Sequence, residues 1–218
     1  MNILQITDNK QFVDAQVLWG KRFFDISVAL CGLMMTLLLF PFIALAIKLE
    51  SRGPILFQQL RIGECKADKT CLFAMFKFRT MGVDAEKTGA QWAGKNDMRV
   101  TRVGRFLRKT RLDELPQFFN VLVGDMSVIG PRPERPGFYR KLEDAIPLYC
   151  ERTYGLKPGI TGLAQVNQGY DTCLDDVRSK LLFDHAYALS LCQFRSWLNM
   201  DLEIMVKTVM VMVLGRGR

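Results

Sequence analysis

Between Ile26 and Ile47 the chain runs for twenty-two residues without a charge, bounded by Lys21-Arg22 on one side and Lys48 on the other. A helix needs roughly 20 apolar residues to cross the ~30 Å hydrocarbon core of a bilayer, so a run of this length commits the chain to a lipid bilayer. A polar segment, residues 1–20, precedes it and no small-residue cleavage site follows, which argues against a secretory leader.

Pro41 governs how the run can sit. Proline removes one helical hydrogen bond and clashes with the carbonyl four residues back, so a bend is expected there. Residues 26–40 supply about 22 Å of helix before it, and Phe42–Ile47 can then turn back toward the same interface. Both flanks are basic, with Lys21 and Arg22 before the run and Lys48, Arg52 and Arg61 after it, so the positive-inside rule gives no asymmetry. The expectation is a re-entrant membrane helix over residues 21–48, broken at Pro41, with both ends in the cytoplasm and residues 49–218 forming one cytoplasmic catalytic domain. The competing reading is a kinked single-pass anchor carrying an interaction module without catalysis.

With 49% hydrophobic and 24% charged residues, the chain has the material for a packed core and is not disordered. Six cysteines at 31, 65, 71, 150, 173 and 192 contain no CxxC pair, so no disulfide framework is expected. His185 is the single histidine, which leaves little from which to build a zinc site or a histidine triad.

Past Pro54 the sequence predicts a fold that is mostly α with a small β component. ILFQQLRIG and CLFAMFKFRTM read as strands, residues 82–97 as a surface loop, and Thr101–Val123 as two or three short helices with Pro116 in a first turn. GDMSVIGPRPERP, with three prolines and two glycines, reads as a rigid irregular loop. Helices over 137–154 and about 174–191 follow, separated by the loop LKPGITG and a short QVNQGY stretch. Ile204–Leu214, too short to span, reads as an interfacial or packed helix.

The net charge of +8 calls for an anionic partner. Lys95–Arg111 concentrates it: arginines at 99, 102, 105, 108 and 111 with Lys95 and Lys109 stand against Asp97 alone. Nucleic acid would account for the charge but not for the apolar run, so no nucleic-acid partner is expected. Directly after the basic stretch come Asp113 and Glu114. Taken alone they could simply open a helix, where carboxylates favour the free N–H groups. Next to fixed cations and a stiff loop, however, they form the parts that phosphoryl transfer needs: cations for phosphates, a metal-binding carboxylate and an anionic nucleophile.

The strings KRFFDISVAL, KFRTM, RLDELPQFFNVLVGDMSVIGPRP and KPGITGLAQVN, together with the proline-broken run, resemble the bacterial sugar transferases, the monotopic polyprenyl-phosphate phosphoglycosyl transferases. The resemblance extends from about Lys21 to the C-terminus. It implies a membrane-embedded re-entrant helical hairpin with a cytoplasmic helical catalytic domain and interfacial helices, at the inner membrane of a bacterium. It also implies transfer of a sugar 1-phosphate from a UDP-sugar to undecaprenyl phosphate with Mg2+, as the first membrane step of exopolysaccharide, O-antigen or glycoconjugate synthesis. Carried over by position, Asp113 is the nucleophile that forms a covalent aspartyl intermediate and releases UMP. Glu114 is a metal ligand or base, and the pair is the expected Mg2+ site. Arg108, Arg132 and the KFRTM residues Lys77 and Arg79 fall on substrate- or phosphate-binding positions. A homodimer is left open. One departure is Phe40, where short members of the family often place a serine before the helix-breaking proline, so the kink here rests on Pro41 alone.

Overall fold

The structure, a computed structural model, describes residues 13–66, 69–85, 97–147, 149–168 and 174–213. The polar segment up to residue 12, most of the expected 82–97 loop, the end of QVNQGY and the final GRGR lie outside the described residues.

The apolar run folds as one helix, α1 (Ala15–Glu50), about 54 Å long at 1.5 Å per residue. It starts on Asp14, whose carboxylate accepts the Gln16 N–H at 2.8 Å. The helix does not end at Pro41, contrary to the expected break. The reason is tertiary packing on both sides of the proline: the Phe40 ring tilts onto Phe78 with centroids 5.9 Å apart, and Ile43 and Ile47 are buried with Phe78, Leu107 and Leu115. Buried Val17, Asp25, Ala29, Gly32, Thr36, Ile43 and Ile47 trace a single stripe along the whole helix. The opposite face leaves Phe23, Met34, Leu37, Leu38, Phe42 and Leu45 exposed. Among the described residues α1 is the one helix long and apolar enough to cross a membrane.

The charged residues of KRFFD fasten this helix to the body. Arg22 donates to Val121 O and Leu122 O, both at 2.8 Å, and Lys21 donates to Ile129 O and Tyr187 Oη, both at 2.7 Å. Asp25 accepts from Ser127 Oγ and from the Val128 N–H. At the far end, Glu50 accepts the N–H groups of Arg102 and Val103, at 2.6 and 2.9 Å, where the next helix begins. Both ends of α1 are therefore fixed to the same globular body.

Strands β1 (Leu56–Cys65) and β2 (Thr70–Phe78) form an antiparallel hairpin with Leu56 opposite Phe78 and a bulge between Ile62 and Cys65. α2 (Arg102–Lys109) is capped by the Thr101 hydroxyl. A one-turn 3-10 helix (Leu112–Glu114) leads into α3 (Gln117–Val123). From α3, the fully buried Asn120 accepts the Phe76 N–H and donates to Ala74 O, so its amide pairs with the free edge of β2 as a strand would.

GDMSVIGPRPERP is not wholly irregular, because β3 (Ser127–Ile129) lies within it and pairs in parallel with β4 (Gly159–Thr161) from the KPGITG segment. A Cβ on Gly159 would fall 2.1 Å from Gly130 N, so the two segments meet backbone to backbone at positions only glycine permits. α4 (Pro136–Ala145) is shorter than the 137–154 helix expected; the backbone leaves the helix at Ile146, just before Pro147, and resumes as a 3-10 turn at Tyr149–Thr153. α5 (Leu163–Asn167) and α6 (Leu174–Ser190) follow. α7 (Phe194–Val213) begins ten residues before the C-terminal helix read from sequence, and leaves Leu198, Leu202, Val206 and Val209 exposed.

Candidate active site

After α2 the chain reverses at Arg111, which has φ 60° and is the one non-glycine residue with positive φ among the described residues. The left-handed conformation costs an L-residue roughly 1–2 kcal/mol. It starts the 3-10 turn that carries Asp113 and Glu114 into the body, where each is 7% exposed. Leu115, buried with Phe78 and Leu107, and Pro116 at the start of α3 fix the far side of the turn.

The two neighbouring carboxylates have different surroundings. Glu114 Oε1 lies 3.2 Å from Lys77 Nζ, 3.3 Å from an Arg132 guanidinium nitrogen and 3.7 Å from one of Arg111. Burial alone would raise its pKa, but Lys77, Arg132 and Arg111 together hold it well below the usual carboxylate range. Asp113 accepts no hydrogen bond from the described residues, and burial, followed by the charge of Glu114, pushes its carboxyl up to about 6. Burial also pulls the Lys77 ammonium down to about 8, against the opposing effect of Glu114.

Both acids open onto a cleft of about 360 Å³ lined by nine Arg and Lys side chains against three carboxylates. All six residues singled out in the sequence reach it: Asp113, Glu114, Lys77, Arg79, Arg108 and Arg132. They do not have equal freedom there. Arg108 donates Nε–H to Thr80 Oγ1 at 2.9 Å. Arg79 is spent on the turn after α1, donating to Arg52 O, Ser51 O and Ser51 Oγ. Gly53 there has φ 124°, and a Cβ would meet Arg79 at 2.0 Å, so the turn is built around this guanidinium.

Sequence reasoning missed Arg61, Arg99, Arg111, Arg135 and Lys180 as cleft residues. For Arg61 the strand period gives half the signal, since residues 57, 59 and 61 share a face; that this is also the face of Lys77 follows only from the pairing of Phe57 with Lys77 in the structure. Arg61 donates to Pro133 O at 3.0 Å and to Gln59 Oε1 at 2.5 Å, and burial followed by the Arg132 charge lowers its pKa to about 10. Among the described residues no group of three or more His, Cys, Asp or Glu side chains converges as a ready-made metal cage.

The sequence model of the family described as "Bacterial sugar transferase" matches residues 16–215. A UDP-N-acetylgalactosamine-undecaprenyl-phosphate N-acetylgalactosaminephosphotransferase of Aeromonas hydrophila is 45% identical over 197 residues, which cover 90% of this chain and 44% of the relative. A UDP-glucose:undecaprenyl-phosphate glucose-1-phosphate transferase of Klebsiella pneumoniae is 42% identical over 193 residues, 87% of this chain and 39% of the relative. The exopolysaccharide production protein PSS of Rhizobium leguminosarum bv. phaseoli is 45% identical over 151 residues, 67% of this chain and 72% of the relative. The chain thus spans less than half the length of the first two relatives.

Proposed function

The chain belongs to the bacterial sugar transferase family, and from that premise we propose that it moves a sugar 1-phosphate from a UDP-sugar to undecaprenyl phosphate through Asp113. The observation that carries this reading is the division of labour between the two acids. Glu114 is committed to three cations, whereas Asp113, uncommitted and with its pKa raised to about 6, is a carboxylate ionised at neutral pH with a free lone pair facing a cationic cleft.

A diphosphate in the cleft has its charge offset by the surrounding arginines, which lets an anionic nucleophile approach. An Asp113 oxygen attacks the β-phosphorus, its bond to the bridging oxygen breaks, and that oxygen leaves with UMP. The product on the enzyme is an acyl phosphate bearing the sugar. A phosphate oxygen of undecaprenyl phosphate then attacks the same phosphorus, the acyl phosphate P–O bond breaks, and the Asp113 carboxylate is restored. Glu114 orients Lys77, Arg111 and Arg132 toward the transferred phosphoryl group, a role supported by its contacts to all three. Mg2+ sites commonly use only one or two protein carboxylates, so Asp113 in the cleft would suffice to hold such an ion, which would supply further charge neutralisation for the diphosphate. Three cations already crowd Glu114, which argues against that residue as the main ligand.

For the membrane, we read α1 as re-entrant rather than as a single-pass span, with the body at headgroup depth on the cytoplasmic face of the inner membrane. The attachment of both helix ends to one body, and the exposed apolar faces of α1 and α7, support this. The test is UMP release by the purified full chain in nanodiscs containing undecaprenyl phosphate, over a panel of UDP-sugars. Turnover with at least one sugar, lost in Asp113→Asn, is the expected result. Equal turnover by the Asn variant would overturn the assignment.

A further inference from the structure

The geometry points to Arg152 as a positioning residue that acts through the backbone of Arg132, with Asp184 holding it in place. This rests on the reading of the cleft as the transfer site, since Arg132 matters only if Glu114 and its cations do.

Arg132 stands in a proline-flanked loop, its side chain a third exposed and 3.3 Å from Glu114. Its aim depends on where its own peptide is held. Upstream, the Gly159 N–H donates to Pro131 O at 2.9 Å. The Arg132 carbonyl itself accepts from an Arg152 guanidinium nitrogen at 2.6 Å, while another nitrogen of the same guanidinium donates to Asp184 Oδ2 at 2.7 Å. Arg152 and Asp184 are 6% and 3% exposed, and the guanidinium lies over the Tyr149 ring at 4.8 Å. Arg152 does not itself line the cleft; its hydrogen bond to the Arg132 carbonyl links it to the loop that does.

Stability alone does not account for the pair. A buried ion pair is often matched or exceeded in stability by apolar side chains of similar volume. What an apolar pair cannot do is grip a carbonyl. A planar guanidinium can bind a carboxylate with one nitrogen and a carbonyl with another in fixed relative orientation, which a lysine cannot reproduce. The chain of contacts Asp184, Arg152, Arg132 carbonyl, Arg132 guanidinium, Glu114 thus ties α6 to the catalytic turn.

The test replaces the pair together, Arg152→Met with Asp184→Leu, in the full chain. The double variant is expected to melt close to wild type yet lose about 100-fold in kcat/KM, the scale of a misplacement of roughly 1 Å. Because the loss runs through Arg132, adding Arg132→Ala to the double variant should reduce activity no further than Arg132→Ala does alone. Amide exchange over residues 130–135 should accelerate in the double variant while the rest of the core keeps its protection. In the wild-type chain, residues 130–135 and 150–153 should open together, a measurement that stands even if the variant misfolds. Losses that multiply, an unchanged exchange rate in the loop, or independent opening of the two segments would overturn the proposal. If the wild type releases no UMP with any UDP-sugar, the transferase reading falls, and the exchange arms still decide what Arg152 does.

Discussion

Replacing Asp113 with asparagine is expected to stabilise the folded protein, and only at neutral and alkaline pH. The carboxyl is buried beside an ionised Glu114, and its pKa rises from the ordinary 3.8 to about 6 on folding. Because the folded value lies above the unfolded one, the stability tied to this group is intact below about pH 4 and is lost as the pH climbs through 6. A rise of that size corresponds to about 3 kcal/mol. Asparagine approximates the neutral acid in shape and cannot ionise, so the variant keeps what the wild type loses. For a chain of this length about 3 kcal/mol corresponds to roughly 6–12 °C in Tm. Thermal melts of the two proteins in the same detergent should coincide near pH 4 and separate by that amount at pH 8, with the variant higher. Titrating groups that do not sense Asp113 are common to both proteins and drop out of the difference, whereas Lys77, held up in part by the Asp113 charge, loses that support in the variant. A gap that does not change with pH, or an asparagine variant that melts below wild type at pH 8, would refute the reasoning.

Glu114→Gln should behave in the opposite sense: it leaves Lys77, Arg111 and Arg132 facing a neutral amide, so stability falls by about 3 kcal/mol and turnover is lost, as paired melting and UMP-release measurements would show. Turnover should rise with pH through about 6 as Asp113 ionises and fall above about 8 as Lys77 loses its proton, and a rate that is flat between pH 5 and 9 would contradict both assignments. Gly32→Val should destabilise by about 1–3 kcal/mol or more, because a Cβ there falls 2.3 Å from Phe118 and drives α1 off α3; a wild-type melting temperature would show that the two helices are not packed as described.

The apolar run announced a long helix, but not the stripe that packs. Where nearly every residue is apolar, period 3.6 carries little contrast, and the small Gly32 and polar Thr36, four residues apart, are only a faint local mark of the face turned to the body. The same uniformity left Pro41 as the strongest local signal, and the contacts of Phe40, Ile43 and Ile47 that carry the helix past it are long-range. The acid pair was legible because it is contiguous. Its partners come from a hairpin, an α2 turn and a loop, and only the register of β1 on β2 shows that Arg61 and Lys77 share a face. Arg79, two residues beyond Lys77, follows the motif into the cleft wall yet holds the Ser51–Gly53 turn, a contact no local pattern announces. β3 and β4 are three residues each, within segments rich in glycine and proline, and their pairing depends on backbone proximity rather than on side-chain alternation. Arg152 and Asp184 are thirty-two positions apart and carry no motif signal of their own.

Passage of the sugar phosphate through Asp113 would be seen in the intact mass of the full chain after incubation with its UDP-sugar and no lipid acceptor. Up to one UMP released per active site is expected, with a protein heavier by one sugar phosphate, an adduct discharged on addition of undecaprenyl phosphate and absent from Asp113→Asn. No UMP and no adduct until undecaprenyl phosphate is added, in a preparation that then turns over, would contradict it and leave Asp113 a base or metal ligand for direct attack by the lipid phosphate.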